Sequence, residues 1–495
     1  MTIKRFFLIF GVLVLFLFSC NLSIDTDWDF RPPNTPPRQF WALNARGQFY
    51  QLTADLLAEG RYSRVWVERG SGVTAEAAKI VAREFDLNIR PKMIKTFGFR
   101  GDFIVNNQII AQDIDLMEMA DVDGSGKITI LFLDTRRHAP PGMSGIYIAG
   151  YFQPLNFFQN DPDHPIFRHS NETAMIYIDT NFAPPGSQLS NSVIAHEMAH
   201  LMVHAASYLT RVRGNVLHNL DLWINEGLAT AAEWLYTGEH PESLLFIFRN
   251  DPSGQIQRGN NFFVWGNRTN LHPWAIMDDY ATVYLFFQWL RLQSGCTEIF
   301  RKIISSNELD HRAVTRAANA AMPGEGFGSW ENLLRTWLAA NYINAPAGRF
   351  GYKSDPVLGT LMARTAPGET NISLYPGEGV FSITEAELPL PIEGGNIRYL
   401  ALTNRAPWIC NEESFAGGAM LSFNSNINTG GLREVATTTG ISRIYPVPNS
   451  RFAEAASVGP FGISLNDMLR LNGREENHFN FDLGNLRMGI NVNEQ

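Results

Sequence analysis

Residues 193–204 read VIAHEMAHLMVH, and this segment limits the possible folds of the chain more than any other. His196 and His200 are four residues apart, so on an α-helix their side chains project from one face about one turn apart. Glu197 adjoins the first histidine, and most of the remaining positions are apolar. A helix of this composition is buried, and two imidazoles with a carboxylate inside it need a compensating partner. The segment therefore predicts a buried helix whose polar side chains hold a metal ion.

The H-E-x-x-H spacing is suited to zinc, because two imidazoles one helical turn apart can bind one ion while Glu197 accepts a proton from water. A third ligand is needed. Ala206 occupies the position six residues after His200 where some zinc sites have a third histidine. His204 lies about 12 Å along the helix axis from His196, too far for both to reach one ion at about 2.1 Å. We therefore expect His204 to be a packing residue or to support the ligands.

Glu226 is the better candidate for the third ligand. It lies in the segment LWINEGLA, 26 residues after His200. One helix, a loop over residues 211–219 and a returning helix would bring its carboxylate beside the histidines. A glutamate near the start of a helix is also favoured by the helix dipole, so a purely structural role is the alternative.

The rest of the pattern predicts an α+β fold. Residues 39–190 form an N-terminal α/β lobe of short β-like runs and a helix that Thr74 can cap, and residues 191–350 form a helical lobe. After a stretch rich in Gly and Pro, residues 356–495 predict a small β-rich C-terminal module. Strands are expected at 64–68, 128–133, 175–178 and 397–402, and long helices at 191–207, 221–237, 279–293 and 330–342.

The N-terminus predicts export. Residues 1–19 combine Lys4 and Arg5 with an apolar run of 13 residues, which is shorter than the roughly 20 residues of a membrane-spanning helix but typical of a signal peptide. The run ends in LFSC and resembles the lipobox of bacterial lipoproteins, which implies that Cys20 is lipidated and becomes the mature N-terminus. An ordinary secretory signal is the alternative. Residues 20–38 contain four prolines and predict a tether.

Charge and cysteine content narrow the possible partners. The 495 residues carry a formal net charge of −9, which argues against nucleic-acid binding, since phosphate recognition needs a basic face. Three cysteines are too few for a disulfide scaffold. Cys296 and Cys410 would remain after Cys20 is lipidated, and outside the cytoplasm they could pair. The sequence leaves the oligomeric state open.

H-E-x-x-H followed by a downstream N-E-G resembles the gluzincin clan of zinc peptidases. Within that clan, residues from about 40 to 345 are similar to hyicolysin-type secreted neutral metallopeptidases. The shared segments are DVDGSGKITILFLD, the MIYIDT strand before IAHEMAH, the WINEGLA helix and a later Tyr-rich helix. The resemblance implies a zincin-like fold with a mixed β-sheet lobe, an active-site helix and a helical lower lobe. It also implies one Zn²⁺ held by His196, His200 and Glu226, with Glu197 as the general base.

A comparison within the clan suggests one further catalytic residue. In the clan's aminopeptidases a tyrosine stabilises the transition state, and Tyr280 occupies the equivalent place, so its hydroxyl is expected to donate a hydrogen bond to the oxyanion. Tyr284 and His272 are rivals for this role, and Tyr280 has a packing role as its alternative. The aminopeptidases' G-x-M-E-N motif is absent from the sequence, which favours an endopeptidase.

The expected function is therefore a zinc-dependent metalloendopeptidase that hydrolyses protein or peptide substrates by Glu-assisted attack of zinc-bound water. The lipid would tether it to the bacterial cell envelope, at the outer membrane or cell surface rather than the inner membrane. A substrate strand is expected to dock along a sheet edge at residues 146–152. The alternative is a non-catalytic surface adhesin or binding protein on a zincin scaffold.

Overall fold

The computed structural model describes residue 30 and residues 34–446, except for gaps at 45–47, 106–107, 115–120, 138–147, 166, 214–215, 260–261, 267, 269–271, 273–274, 367–372, 386, 392, 394, 404–406, 411–416, 427–431 and 438–441. The predicted signal peptide, Cys20 and most of the predicted tether lie outside these residues, as does the end of the chain after residue 446. Among the helices that are described, none combines the length and apolar character needed to cross a membrane.

The N-terminal part is built on a mixed β-sheet. Its strands and the neighbouring hairpin are β1 (Arg38–Leu43), β2 (Phe49–Glu59), β3 (Ser63–Glu68), β4 (Phe99–Val105), β5 (Gln108–Ile114), β6 (Ile128–Leu133), β7 (Gly150–Phe152) and β8 (Met175–Asp179). The order in the six-stranded sheet is β1-β2-β3-β6-β8-β7, while β4 and β5 pair separately. Strand β6 is parallel to both β3 and β8, and the other pairs are antiparallel.

The central strands β6 and β8 are buried along their whole length. Their sequences, ITILFL and MIYID, are nearly continuous apolar runs, as expected for strands covered on both faces. Strand β7 is the edge of the sheet and is antiparallel to β8. Helix α1 (Ala75–Glu84) begins where the Thr74 side chain accepts a hydrogen bond from the Ala77 amide, so the predicted cap is confirmed. A π-helical turn joins α1 to α2 (Arg90–Phe97).

The remaining helices follow the sheet in sequence. They are α3 (Gln188–Thr210), α4 (Leu222–Thr237), α5 (Glu242–Asn250), α6 (Ala275–Ser294), α7 (Glu298–Ile304), α8 (His311–Ala321) and α9 (Trp330–Ile343). The four helices predicted from apolar periodicity correspond to α3, α4, α6 and α9, each with slightly different ends. Every residue from 197 to 208 of α3 is buried, as predicted for the helix that carries H-E-x-x-H. Between α3 and α4, two short strands, β9 (Val212–Arg213) and β10 (Val216–Leu217), pair within the predicted loop.

The C-terminal part contains two small antiparallel sheets. Their strands are β11 (Ser373–Leu374), β12 (Gly379–Thr384), β13 (Ile397–Leu402), β14 (Ile409–Cys410), β15 (Gly418–Asn424), β16 (Leu432–Thr437) and β17 (Ser442–Pro446). The sheet of order β12-β15-β13-β14 places Phe381, Leu421 and Phe423 in the same apolar core as the helices. The fold is thus α+β, as the sequence predicts: a mixed sheet, a group of helices and two small antiparallel sheets near the C-terminus.

A buried ion pair fastens this C-terminal sheet to the helical part. Arg268, from the segment before α6, lies 2.5 Å from Glu378, which immediately precedes β12, and both side chains are almost fully buried. Gly259 leaves room for the pair, because a Cβ at this position would lie 2.6 Å from each of the two side chains. Cys296, between α6 and α7, is an exposed free thiol.

Candidate metal centre

Three buried or half-buried side chains from two helices converge on one point. His196 and His200 project from α3, and Glu226 projects from the second turn of α4. Glu226 Oε2 lies 3.4 Å from His196 Nε2 and 3.6 Å from His200 Nε2. Within the described parts of the chain, this is the group of His, Cys, Asp or Glu side chains arranged to hold a metal ion, with ligand atoms all within 4.8 Å of one another.

The atoms that converge have free lone pairs. Both carboxylate oxygens of Glu226 and the Nε2 atom of His200 are buried without a hydrogen-bond partner. The distances between them exceed the 2.7–3.2 Å of a good N–H···O hydrogen bond, so hydrogen bonds do not satisfy these atoms. Glu226 is fully buried, His200 is 3% exposed, and the His196 side chain is 12% exposed. Leaving three such groups unsatisfied in the interior is costly, and a bound cation removes the cost.

The other nitrogen of each imidazole is held by an oxygen acceptor. His196 Nδ1 lies 2.8 Å from Glu233 Oε1, and His200 Nδ1 lies 3.0 Å from Asn225 Oδ1. Because both partners accept, Nδ1 donates in each ring, and Nε2, which faces Glu226, is the nitrogen that can bind either a proton or a metal ion. Acceptors of this kind orient metal-binding histidines and increase their basicity.

Glu233 stands outside the motifs that mark the site in the sequence. Its signal is positional, since it lies seven residues, or about two turns, after Glu226 and therefore on the same side of α4. Asn225, by contrast, belongs to the N-E-G segment, and its contact with His200 explains why an amide precedes the glutamate there.

The glycine of the N-E-G segment, Gly227, is required by close packing between two helices. A Cβ at this position would lie 2.2 Å from Cε2 of Phe287 on α6, far inside van der Waals contact. The glycine therefore allows α4 to approach α6 closely at the point where Glu226 is held. Small residues continue along α4 as Ala229, Ala231 and Ala232, all fully buried.

Glu197 adjoins His196 on α3 and lies against the edge strand β7. It is 3% exposed, and its Oε2 is buried without a hydrogen-bond partner. Burial raises the pKa of Glu197 to about 7, although the neighbouring His200 and His196 act in the opposite direction. Gly150 of β7 brings the strand against α3, because a Cβ there would lie 2.7 Å from a Val193 methyl and 3.1 Å from Cγ of Glu197. The edge predicted at residues 146–152 is thus a strand over Gly150–Phe152, and residues 146–147 lie outside the described part.

The electrostatics of the group favour positive charge. Burial alone would lower the pKa of His196, but the carboxylates of Glu226 and Glu233 outweigh it and raise this pKa well above the usual value. The pKa of His200 is raised by Glu226 in the same way, against the effect of burial. Burial would raise the pKa of Glu226, but the two imidazoles outweigh it and lower the pKa strongly. The site therefore attracts cations, whether protons or a metal ion.

His204 is a packing residue, in keeping with its distance from His196. Its ring contacts Phe152, Phe157 and Tyr208, and its Nε2 lies 3.2 Å from the Tyr208 hydroxyl. Burial lowers the pKa of His204 to about 3, so the ring is neutral at physiological pH.

The candidates for the oxyanion donor lie in or just before α6. Tyr280 is 4% exposed and packs edge-on against Trp265, with ring centroids 5.0 Å apart. The Tyr284 hydroxyl lies 2.6 Å from Nδ1 of His240, so its hydrogen bond is directed to that ring. The His272 amide donates to the Arg268 carbonyl in the segment before α6.

The described structure is an α+β protein with a buried His–His–Glu group that can hold a metal ion. Neither a scan of protein-family profiles nor a search of curated proteins returned a match to this sequence.

Proposed function

We propose that this protein is a zinc-dependent metallopeptidase of the gluzincin type, on a zincin-like fold, and that it acts as an endopeptidase. The observation that carries this proposal is the convergence of His196, His200 and Glu226 on one point, with Glu197 beside them. These four residues supply the groups that a hydrolytic zinc site uses, three protein ligands and a carboxylate that can act as a general base.

The ligand set fits Zn²⁺ on chemical and geometric grounds. Two imidazole nitrogens and one carboxylate are a common three-ligand set of catalytic zinc sites. In a tetrahedral site with bonds of about 2.1 Å, neighbouring ligand atoms are about 3.4 Å apart. The distances of 3.4 and 3.6 Å from Glu226 Oε2 to the two Nε2 atoms match that spacing. The fixed tautomers of both imidazoles supply the required lone pairs.

Zn²⁺ bound at this site would act as a Lewis acid, polarising the substrate carbonyl and lowering the pKa of a water molecule. Glu197 Oε2 accepts the proton from the attacking water and delivers it to the leaving amine. Burial raises the pKa of Glu197 to about 7 and a bound cation would lower it from there, so the carboxylate can be ionised and accept the proton near neutral pH. Glu233 and Asn225 keep the imidazoles in the correct orientation throughout.

The edge strand β7 is the proposed docking site for the substrate backbone. One side of β7 pairs with β8, and among the described strands none pairs with its other side. An extended peptide can add to such an edge through main-chain hydrogen bonds. Gly150 places this edge against Glu197, so a peptide bound there would pass the general base. Tyr280 is the proposed hydrogen-bond donor to the oxyanion, on the basis of its resemblance to the tyrosine of the clan's aminopeptidases; the hydroxyl of its rival Tyr284 contacts His240.

The decisive experiment is Glu197→Gln, which removes the base but keeps the shape of the side chain. We expect hydrolysis of a casein-type substrate to fall by about 10²–10⁴-fold, the usual contribution of a general base, while zinc content is unchanged. The control is Glu76→Gln, which alters an exposed glutamate on α1 and should leave activity intact. Undiminished hydrolysis by purified Glu197→Gln would refute the assignment.

We further propose that the protein is held at the bacterial cell envelope by a lipid on Cys20. The lipobox-like segment before Cys20 supports this proposal. Metabolic labelling with a radioactive fatty acid should label the wild-type protein and not Cys20→Ala. Equal labelling of both proteins would contradict it.

A further inference from the structure

A carboxyl–hydroxyl–carboxyl contact joins the turn after α5 to the first turn of α6. Ser253 Oγ lies 2.5 Å from Asp278 Oδ2 and 3.1 Å from Asp251 Oδ1, and it accepts a hydrogen bond from the Gln255 amide at 3.0 Å. All three of the side chains in this contact are buried, with Asp278 only 4% exposed. None of them belongs to the candidate metal centre.

Counting hydrogens shows that this group needs an additional proton. The Ser253 hydroxyl has one hydrogen and can donate to one acceptor. If Asp251 and Asp278 were both ionised, the Ser253 hydroxyl could donate to only one of the two carboxylates. Its contact with the other carboxylate would then bring two oxygen atoms together with no hydrogen between them. A proton on one of the two carboxyl groups allows both contacts to be hydrogen bonds.

The surroundings of the two carboxyl groups decide which one carries this proton. Asp251 accepts hydrogen bonds from the amides of Ile256 and Gln257, one on each oxygen, and such donors stabilise an anion. Asp278 Oδ2 contacts Ser253, and Asp278 Oδ1 is buried without a hydrogen-bond partner. A charged carboxylate with one unsatisfied oxygen in the interior is much more costly than a neutral acid in the same place. The proton is therefore assigned to Asp278.

We propose that Asp278 is a neutral carboxylic acid in the folded protein at neutral pH, donating to Ser253, which in turn donates to the Asp251 carboxylate. This hydrogen-bond chain, Asp278–Ser253–Asp251, is a pH-sensitive latch between the turn at residues 251–257 and the start of α6. Loss of the proton places a second negative charge beside Asp251 and breaks one of the two hydrogen bonds, so the latch weakens as pH rises.

The charged groups around the latch agree with this assignment. Burial raises the pKa of Asp278 well above its usual value, and Asp251 adds to this effect, whereas the Ser253 hydrogen bond and Arg268 oppose it. Arg268 is already paired with Glu378 at 2.5 Å, so its charge is largely neutralised. Asp279, the next residue of α6, accepts instead from the Gly266 amide.

Infrared spectroscopy of the full-length protein tests the proposal directly. A protonated carboxylic acid has a carbonyl band that an ionised carboxylate lacks. The difference spectrum of wild type minus Asp278→Asn at about pH 7 should contain this band, and that of wild type minus Asp251→Asn should not. The absence of the band from the first difference would overturn the proposal.

The pH dependence of thermal stability gives a second test with the same variants. Asparagine at 278 can donate to Ser253 as the acid does, so Asp278→Asn should fold and have a melting temperature close to that of wild type at about pH 5. In this pH range the folded state keeps a proton on Asp278 that the unfolded state releases. Wild type should therefore lose stability relative to Asp278→Asn as pH rises from about 5 to 7. The unfolding equilibrium constant of wild type should rise by up to about tenfold per pH unit relative to that of the variant.

A stability difference between the two proteins that does not change with pH would show Asp278 to be ionised. Stabilisation of wild type by added Ca²⁺ that Asp278→Asn lacks would show that a cation replaces the proton, and would also overturn the proposal.

Discussion

Gly227 controls how closely α4 approaches α6, so Gly227→Ala tests whether this approach positions the Glu226 carboxylate, the proposed third metal ligand. The added methyl group would lie 2.2, 2.5 and 2.7 Å from three ring atoms of Phe287, whereas ordinary contact begins near 3.4 Å. The helices must separate by about 1 Å, or the ring must move. Phe287 is fully buried and packs against Trp223 and Phe286, so it has little space to move into.

The expected effect has two opposing parts. Alanine is the better helix former by about 1 kcal/mol, which favours the variant. Overpacking a tight interior contact costs about 1–3 kcal/mol, and here the overlap is large, so we expect net destabilisation by about 1–2 kcal/mol. Zinc tolerates errors of only about 0.2 Å in ligand distance. A shift of about 1 Å next to Glu226 should therefore lower zinc affinity by at least the 10–100-fold seen when supporting residues are lost.

The assay combines urea unfolding with a competitive zinc titration. Gly359→Ala is the matched control, since a Cβ at that position meets nothing closer than 3.6 Å and neither stability nor zinc affinity should fall. Gly227→Ala combined with Phe287→Ala should recover zinc affinity relative to Gly227→Ala alone, because the smaller side chain removes the overlap. Wild-type zinc affinity in Gly227→Ala would refute the reasoning.

Three further predictions follow from the site and its supports. Glu233→Gln keeps a hydrogen-bond acceptor for His196 but removes the charge, so zinc affinity measured by competition should fall by about 10–100-fold with the fold intact. Glu197 must be ionised to accept a proton, so kcat/KM should fall about tenfold per pH unit below the pKa of Glu197. Burial raises this pKa to about 7, and a bound cation lowers it from there, so the fall in kcat/KM should begin at or below about pH 7. Arg211 is fully buried and donates to the carbonyls of Val203, Ile304 and Ser306, so Arg211→Ala should lower the free energy of unfolding in urea by about 3 kcal/mol or more. The first prediction is wrong if Glu233→Gln binds zinc as tightly as wild type does. The second is wrong if kcat/KM does not fall at acidic pH. The third is wrong if Arg211→Ala lowers the free energy of unfolding by less than about 1 kcal/mol.

Local patterns in the sequence predict most of the secondary structure around the site. Strand β6 begins and ends at the predicted residues, because a continuous apolar run between Gly126-Lys127 and Asp134 leaves little ambiguity. The α3 helix and the close positions of His196 and His200 follow from their spacing of four. The placement of Glu226 beside the two histidines depends only on α4 returning along α3, which the short connection between the helices favours.

Residues that act through long-range packing are not marked by such patterns. Glu233 resembles any glutamate near the end of a helix until α4 is known to turn that face toward His196. Gly150 is the first residue of a three-residue strand, and its closeness to Glu197 depends on how the sheet meets α3. Arg268 and Glu378 are 110 residues apart in sequence, and neither position alone indicates a buried ion pair. These contacts are fixed by the packing of whole elements, which periodicity and spacing do not specify.

Metal analysis of the purified protein by mass spectrometry tests the central claim most directly. We predict one zinc ion per chain in the wild-type protein and none in Glu226→Ala, because the two imidazoles alone form an incomplete site. Wild-type protein that takes up no zinc from a zinc-containing buffer, or Glu226→Ala that retains a full equivalent, would contradict the claim that His196, His200 and Glu226 together hold the ion.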